Sequence, residues 1–264
     1  MSDLNEAEKL ARHLFNALGL ISHRLEERVD KRTADFFIEG SPLVVVEVTA
    51  KGDSGQFEAL LASHNFAEEH RIHRHSSTIK RVIRDKRSQL ADTTSVDGAE
   101  DAFLVLLVTP TGRFGADIEA EIVATFLGRV GITVRTPGER TVERSCYLFD
   151  KAECFESLDL SAIVIAHPDE ARILLNPASP TIAAFRETPF VKAFAPGIVD
   201  VELDEASGEA YSLGDYRGPR GREAQHDRDR RAFIEKKYGL SLAIPLRWNS
   251  VTLATNVPLK TGRG

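Results

Sequence analysis

Three side chains that could bind a metal ion or move a proton, Asp35, Glu47 and Lys51, lie in or beside two short apolar runs. Residues 34–38 are apolar and aromatic apart from Asp35, residues 43–50 are dominated by valine, and turn-forming glycine, serine and proline separate them. This pattern predicts a β-hairpin. Alternate residues of a strand share a face, so Glu47 and Lys51 point the same way, and Asp35 on the partner strand can reach them. A carboxylate in so apolar a strand is expected to pair with a cation or to bind a metal.

These residues resemble the PD-(D/E)xK, or restriction-endonuclease-like, nuclease superfamily. The family pattern is an aspartate at the start of one strand followed by (D/E)-x-K on the next. Asp35 matches the first acid and Glu47 the second, and Ala34 stands where the family often has proline. The family lysine would fall at Thr49, and Lys51 lies two residues later on the same face. The resemblance covers roughly the first half of the chain.

The resemblance implies a metal-dependent nuclease that uses Mg²⁺ or Mn²⁺. Asp35 and Glu47 would hold the ion together with a main-chain carbonyl near Val48, since hard cations prefer oxygen ligands. Such an ion lowers the pKa of bound water and polarises the phosphate. Lys51 would orient or deprotonate the water, and Thr49 could supply only a hydroxyl. The alternative is structural: Asp35 caps a turn, and Glu47 forms a partly buried ion pair with Lys51 or an arginine.

The first 18 residues predict an amphipathic helix over 3–18, which ends at Gly19. Asp3 and Glu6 have the spacing of a capping box, so Glu6 is interpreted as part of the cap. In the resembled family a glutamate on the first helix often helps to hold the metal, which makes Glu8 the candidate ligand. A solvated helix glutamate is the alternative for Glu8.

A second helix, predicted over 78–91, carries polar residues at positions that would be apolar if that face were wholly buried. Lys86 and Gln89 lie on or beside its apolar stripe. In the resembled family this helix often returns a lysine or glutamine towards the scissile phosphate, so both join the candidate catalytic residues. Basic residues on the outer faces would suit a phosphate backbone, or equally a solvated surface. They are Lys80, Arg81, Arg84 and Arg87.

Strand and helix patterns alternate further along the chain. Residues 102–108 and 160–166 are continuous apolar runs, typical of strands buried on both faces, and 117–130 reads as a helix between them. The predicted fold class is therefore α/β, and the resemblance implies a restriction-endonuclease-like central mixed sheet flanked by helices. We expect this domain to span 1–185. Residues 186–264 are expected to form a β-rich extension or subdomain, with strands over 190–213 and 240–253 and a helix over 224–238.

The composition of the 264 residues is that of an ordinary globular protein, with 42% hydrophobic and 28% charged residues. The net charge of −6 argues against coating nucleic acid by bulk electrostatics but allows a local basic groove. Two cysteines, no secretory signal pattern and no membrane-spanning run predict a cytoplasmic protein with no membrane partner. The histidines and arginines of 70–75 favour a solvated or phosphate-facing patch over a metal site.

Three functional hypotheses follow from the sequence. The first is an endonuclease that acts on DNA in restriction, repair or defence. The second is a catalytically degenerate member of the same fold that binds nucleic acid or a partner protein, motivated by the displaced lysine. The third is an unrelated α/β protein. RNA as the substrate and a homodimeric state stay open.

Overall fold

The structure, a computed structural model, describes residues 4–25, 33–52, 55–64, 66–72, 74–94, 99–221, 223–246 and 249–255. The helices are α1 (Glu6–Ala17), α2 (Gln56–His64), α3 (Ser77–Thr94), α4 (Gly115–Leu127), α5 (Ile182–Arg186), α6 (Pro189–Ala193), α7 (Val201–Ser207) and α8 (Ala224–Tyr238). The strands are β1 (Ser22–Arg24), β2 (Phe36–Ile38), β3 (Val44–Lys51), β4 (Phe66–Ile72), β5 (Phe103–Pro110), β6 (Val130–Arg135), β7 (Val142–Tyr147), β8 (Leu160–Ala166), β9 (Ala171–Leu175), β10 (Ile198–Val199), β11 (Ala210–Ser212), β12 (Leu242–Leu246) and β13 (Asn249–Thr255). None of the described helices is both long and apolar enough to span a bilayer.

A seven-stranded mixed sheet in the order β1-β2-β3-β5-β8-β9-β10 forms the centre of the molecule. Strands β1, β2 and β3 are antiparallel neighbours, whereas β3, β5 and β8 run parallel to one another. Every residue of β5 and β8 is buried, as expected for parallel strands that are covered on both faces. The α/β class and the central mixed sheet predicted from the sequence are therefore confirmed.

Helices cover both faces of this sheet and enclose two separate apolar cores. Consecutive residues of a strand point to opposite faces, so Val45 and Val46 of β3 enter different cores. Val45 belongs to the core that contains residues of α3 and α4. Val46 belongs to the core formed with α1, α5 and α6. Glu47 follows Val46, so it lies on the α3 side, and this placement decides which helix can contact its carboxylate.

The remaining strands form a four-stranded sheet, β11-β7-β6-β12, and a ribbon of β4 and β13. Residues beyond 185 therefore contribute strands to all three sheets, and they also form α6, α7 and α8. The boundary expected at residue 185 stays a prediction. The expected β-rich character of 186–264 is wrong in so far as these three helices occupy much of the segment.

Two predicted element boundaries need correction. Strands were expected over 190–213, and the short strands β10 and β11 do lie there, but the stretch also contains α7 and most of α6. Helix α7 forms because Asp200 accepts a hydrogen bond from the Glu202 N–H at its start and Gly208 adopts a left-handed conformation at its end. The helix expected over 117–130 ends at Leu127, since Gly128 has a φ of 58°.

Candidate active site

The hairpin of β2 and β3 brings the two predicted acids together. Phe36 pairs with Val46, and the Asp35 N–H donates to the Val46 carbonyl at 3.1 Å. The same register continued by one residue sets Asp35 opposite Glu47. The Asp35 Oδ2 accepts a hydrogen bond from the Val48 N–H at 2.7 Å, which ties its carboxylate to β3. The predicted hairpin is confirmed, and both acids lie at its open end, away from the turn.

Glu47 is a buried carboxylate with only one of its oxygens satisfied. The residue is 1% exposed, and its Oε1 accepts a hydrogen bond from Lys86 Nζ at 2.6 Å. Its Oε2 is buried without a hydrogen-bond partner among the described residues. Burial, followed by the negative charge of Asp35, raises the pKa of Glu47 to about 8, against the opposing effect of Lys86. A buried acceptor that faces a second carboxylate has the electrostatic character of a cation site.

Asp35 interacts with a third acid as well as with two basic side chains. Burial raises the pKa of Asp35 from its ordinary value, the hydrogen bond from Val48 opposes this, and the charge of Glu8 adds to the rise. Lys86 and Arg24 act in the opposite direction. Asp35 is thus close enough to Glu8 on α1 for the charge of Glu8 to raise its pKa. It is also close enough to Glu47 on β3 to raise the pKa of Glu47.

Helix α1 presents Glu8 through its capping arrangement. Asn5 is the N-cap, and its Oδ1 accepts from the Glu8 N–H at 3.0 Å while its amide donates to Glu8 Oε1. The reciprocal pair is therefore Asn5 with Glu8 rather than the predicted Asp3 with Glu6, and Asp3 lies outside the described residues. Glu8 is 7% exposed and its Oε2 accepts from Arg24 at 3.3 Å, so it is not a solvated helix glutamate.

Helix α3 supplies the cation that contacts Glu47. Lys86 Nζ also donates to Gln89 Oε1 at 3.3 Å, and Gln89 Nε2 donates to the Thr33 carbonyl at 2.8 Å. One turn further on, Thr93 Oγ1 accepts from the Ala34 N–H at 2.7 Å. The helix therefore contacts both the acid of β3 and the segment that leads into Asp35.

Lys51, the lysine nearest to the family position, has a different described contact. Its Nζ donates to the Gly52 carbonyl at 3.4 Å, and Thr49 Oγ1 donates to the Ala50 carbonyl at 3.5 Å. The ion pair of Glu47 is made with Lys86, whereas the structural alternative named Lys51 or an arginine. The structure thus joins Glu8, Asp35, Glu47, Lys86 and Gln89 through contacts and charge effects, and it gives Lys51 a main-chain partner.

The four basic residues predicted to contact nucleic acid differ in their surroundings. Lys80 forms ion pairs with Glu153 and Glu156, and Arg87 pairs with Asp159. Arg84 lies 3.6 Å from the neighbouring Asp85, and its side chain is 70% exposed. Arg81 is exposed. Three of the four thus have acidic partners within the chain, although that of Arg84 is an exposed neighbour.

A second group of possible ligands lies near the ends of the parallel strands. Glu119, His167 and Glu170 have ligand atoms within 4.8 Å of one another. His167 Nε2 lies 3.0 Å from Glu119 Oε2, and Arg172 pairs with the other oxygen of Glu119 at 3.3 Å. Arg172 already neutralises part of the charge of Glu119, His167 and Glu170.

Of the predicted histidine patch, His75 pairs with Glu153, His73 lies outside the described residues, and the side chain of His70 is not described.

Sequence reasoning missed three residues that shape the site. Asn5 orients Glu8, Arg24 pairs with Glu8, and Thr93 holds the segment before Asp35. The spacing of Asn5 and Glu8 is itself a capping-box signal. Arg24 and Thr93 carry no such signal, because their roles depend on contacts between elements that are distant in sequence.

The acids near β3 have the donor chemistry of a hard-cation site, whereas among the described residues only Glu119, His167 and Glu170 bring three ligand atoms within 4.8 Å of one another. Glu8, Asp35 and Glu47 offer carboxylate oxygens, the ligand type that Mg²⁺ and Mn²⁺ prefer, and the buried Glu47 Oε2 has an acceptor position to fill. Comparisons of the chain with models of protein families, with curated proteins and with solved structures found no match. The case for function therefore depends on this geometry alone.

Proposed function

We propose that the protein is a metal-dependent nuclease that hydrolyses phosphodiester bonds, with DNA as the favoured substrate. The observation that carries the proposal is the unpartnered, buried Oε2 of Glu47, opposite Asp35 and next to an oxygen that Lys86 already contacts. One lysine contact does not offset the burial of this group and the charge of Asp35, so Glu47 keeps its proton up to a pKa of about 8. A bound cation would take the place of that proton.

Asp35 and Glu47 would hold the cation, with Glu8 as a partner of bound water. The cation supplies Lewis-acid activation of the phosphate and a bound water of lowered pKa. Asp35 is oriented for this by the hydrogen bond from Val48, and Glu8 by Asn5 and Arg24. Fixed ligands favour binding because little conformational freedom is lost when the ion enters.

Lys86 takes the role that the sequence suggested for Lys51. An ammonium group has three donor hydrogens, and the described contacts of Lys86 use two, to Glu47 and Gln89. Its side chain is 30% exposed, so the remaining hydrogen can reach a water or a phosphate oxygen. A lysine there would offset the negative charge that builds on the phosphate during attack.

The charges of the site also suit a phosphodiester. The acids Glu8, Asp35 and Glu47 carry three negative charges when ionised, and Arg24 and Lys86 carry two positive charges. With all three acids ionised the group is negative by one charge, and a bound divalent ion makes it positive by one charge. A phosphodiester carries a single negative charge, so the loaded site attracts the substrate.

A restriction-endonuclease-like fold is part of this proposal. Its support is the mixed central sheet with helices on both faces, two acids on a hairpin, an acid on the first helix, and a lysine and a glutamine on α3. The departure is Thr49 at the usual lysine position. Lys86 compensates for this departure, because it contacts Glu47 from α3.

The proposal is tested with supercoiled plasmid, linear duplex, single-stranded DNA and RNA, each incubated with Mg²⁺ or Mn²⁺. We expect cleavage of DNA by the wild-type protein and none by Asp35→Asn or Glu47→Gln, with Glu119→Gln as the matched control that cuts normally. Equal cleavage by wild type and both site variants would remove the assignment. Binding of nucleic acid that persists in EDTA, without cleavage of any substrate, would favour the catalytically degenerate alternative.

A further inference from the structure

The segment that leads into Asp35 is attached to α3 by hydrogen bonds. The Ala34 N–H donates to Thr93 Oγ1 at 2.7 Å, and the Thr93 hydroxyl donates in turn to the Gln89 carbonyl at 3.0 Å. The carbonyl of Thr33 accepts from the Gln89 side chain at 2.8 Å. Two consecutive residues before Asp35 are thus hydrogen-bonded to the last two turns of one helix.

This attachment is buried and lies outside the regular strand. Strand β2 begins at Phe36, so Asp35 stands just before it, held by single main-chain bonds with Val46 and Leu25. Ala34 is 1% exposed and Thr93 is 6% exposed, so water cannot replace the threonine hydroxyl without rearrangement. The direction in which Asp35 leaves the hairpin is therefore set in part by Thr93.

The same helix carries the lysine of the site. Lys86 and Thr93 are seven residues apart, which is close to two helical turns, so they lie on one side of α3. Lys86 contacts Glu47, and Thr93 holds the segment of Asp35. Helix α3 thus fixes the segment of Asp35 and also supplies the lysine that contacts Glu47.

We propose that Thr93 is a positioning residue of the candidate active site, acting through the main chain of Ala34 to keep the Asp35 carboxylate opposite Glu47. Its consequence for cation binding rests on the proposed function, whereas its effect on Asp35 does not. Hydrogen-bonding groups behind metal ligands typically change metal affinity by about 10- to 100-fold when removed. We expect a loss of that size for Thr93→Val.

Two variants separate positioning from a general effect on folding. Thr93→Ser keeps the hydroxyl and should restore Mn²⁺ affinity to within a few-fold of wild type. Thr125→Val is the matched control: Thr125 is 0% exposed, and its Oγ1 accepts from the Ser76 N–H at 2.9 Å beside the other end of α3. This substitution also removes a buried threonine hydroxyl that accepts a main-chain hydrogen bond, but it does so at the other end of α3, away from the acids.

Two measurements on the full chain decide the proposal. The first is the amide ¹H–¹⁵N resonance of Val48 in metal-free protein, which reports the hydrogen bond to Asp35. The second is Mn²⁺ affinity by isothermal titration calorimetry. Thr93→Val should shift the Val48 amide proton upfield and speed its exchange with solvent, while Thr93→Ser and Thr125→Val leave it near the wild-type position.

An unchanged Val48 amide in Thr93→Val, or an equal change in Thr125→Val, would overturn the positioning role. If wild-type protein fails to bind Mn²⁺, the proposed function fails, but the Val48 amide still decides whether Thr93 positions Asp35. If the amide shifts and Mn²⁺ affinity is unchanged in Thr93→Val, the link between Thr93 and cation binding is refuted.

Discussion

Replacing Asp35 by asparagine is expected to stabilise the metal-free protein while abolishing its affinity for Mg²⁺ and Mn²⁺. The substitution keeps an acceptor for the Val48 N–H and removes one negative charge that faces Glu47. The new amide can also donate to the unpartnered Oε2 of Glu47. A residue whose removal helps the fold but destroys binding is typical of a functional site.

The magnitude follows from the pKa of Glu47, which lies at about 8 rather than 4.5. Such a pKa difference lowers the free energy of unfolding by on the order of 5 kcal/mol at high pH, at about 1.4 kcal/mol per pKa unit. Burial is its first cause and the charge of Asp35 its second, so we assign a smaller share, about 1 kcal/mol, to Asp35. For a chain of this size that gain raises Tm by roughly 2–4 °C.

The sign of the pH dependence is opposite to that of a salt-bridged carboxylate. Below pH 4.5 Glu47 is protonated in both the folded and the unfolded state, so it adds no pH dependence there. Between 4.5 and about 8 the unfolded state releases the proton first, so the free energy of unfolding falls as pH rises. The stabilisation by Asp35→Asn should therefore be small at pH 5 and full near pH 8.5.

The assay is thermal unfolding in EDTA at several pH values, repeated with excess Mn²⁺. Asp200→Asn is the contrasting control, because Asp200 is 2% exposed and paired with Arg186 through both oxygens. Its loss should destabilise by about 3 kcal/mol, as expected when one partner of a buried ion pair is removed. Mn²⁺ at 100 times its dissociation constant should stabilise wild type by about 2.7 kcal/mol and Asp35→Asn by none. A Tm for Asp35→Asn below that of wild type at pH 8.5 in EDTA would refute the reasoning.

Three further outcomes are expected. Lys86→Met should lower the single-turnover rate of plasmid cleavage by at least about 100-fold, because it removes a charged donor at the phosphate, whereas Lys51→Met should lower it by less than about 10-fold; the reverse order would return the role to Lys51. Arg24→Gln should tighten Mn²⁺ binding in calorimetry and weaken DNA binding in fluorescence anisotropy, since it removes a positive charge beside two acids; weaker Mn²⁺ binding would contradict this. Cys146 and Cys154 should resist a disulfide thiol reagent at pH 8 until the protein unfolds, because burial raises the pKa of both thiols, that of Cys154 to about 12; rapid labelling of native protein would disagree.

The sequence predicted those elements of the fold whose patterns are strictly local. The apolar run at 160–166 is β8, and the run at 102–108 lies within β5 apart from its first residue. The helix expected over 224–238 has those bounds in the structure. A continuous apolar run favours a strand that is buried on both faces, and a stretch that ends at a left-handed glycine favours a helix.

The region before α8 was misassigned in part. Strands were expected over 190–213, and β10 and β11 lie there, but Asp200 and Gly208 mark the two ends of α7. Their spacing was present in the sequence as cap signals. Burial of Val201 against the larger core then stabilises the helix.

The candidate site was predictable in its acids and less so in their partners. The register of a hairpin follows from its turn, so a meeting of Asp35 and Glu47 could be expected. The choice of Lys86 over Lys51 as partner of Glu47 depends on how α3 packs on the sheet. No spacing within one element encodes such packing.

The central claim is that Asp35 and Glu47 share one divalent cation. The most direct measurement is anomalous X-ray diffraction from crystals of the wild-type protein soaked in Mn²⁺. We expect an anomalous peak within bonding distance of both carboxylates and no such peak in crystals of Glu47→Gln. A wild-type map without a peak between these acids, or with its peak only at Glu119, His167 and Glu170, would contradict the claim.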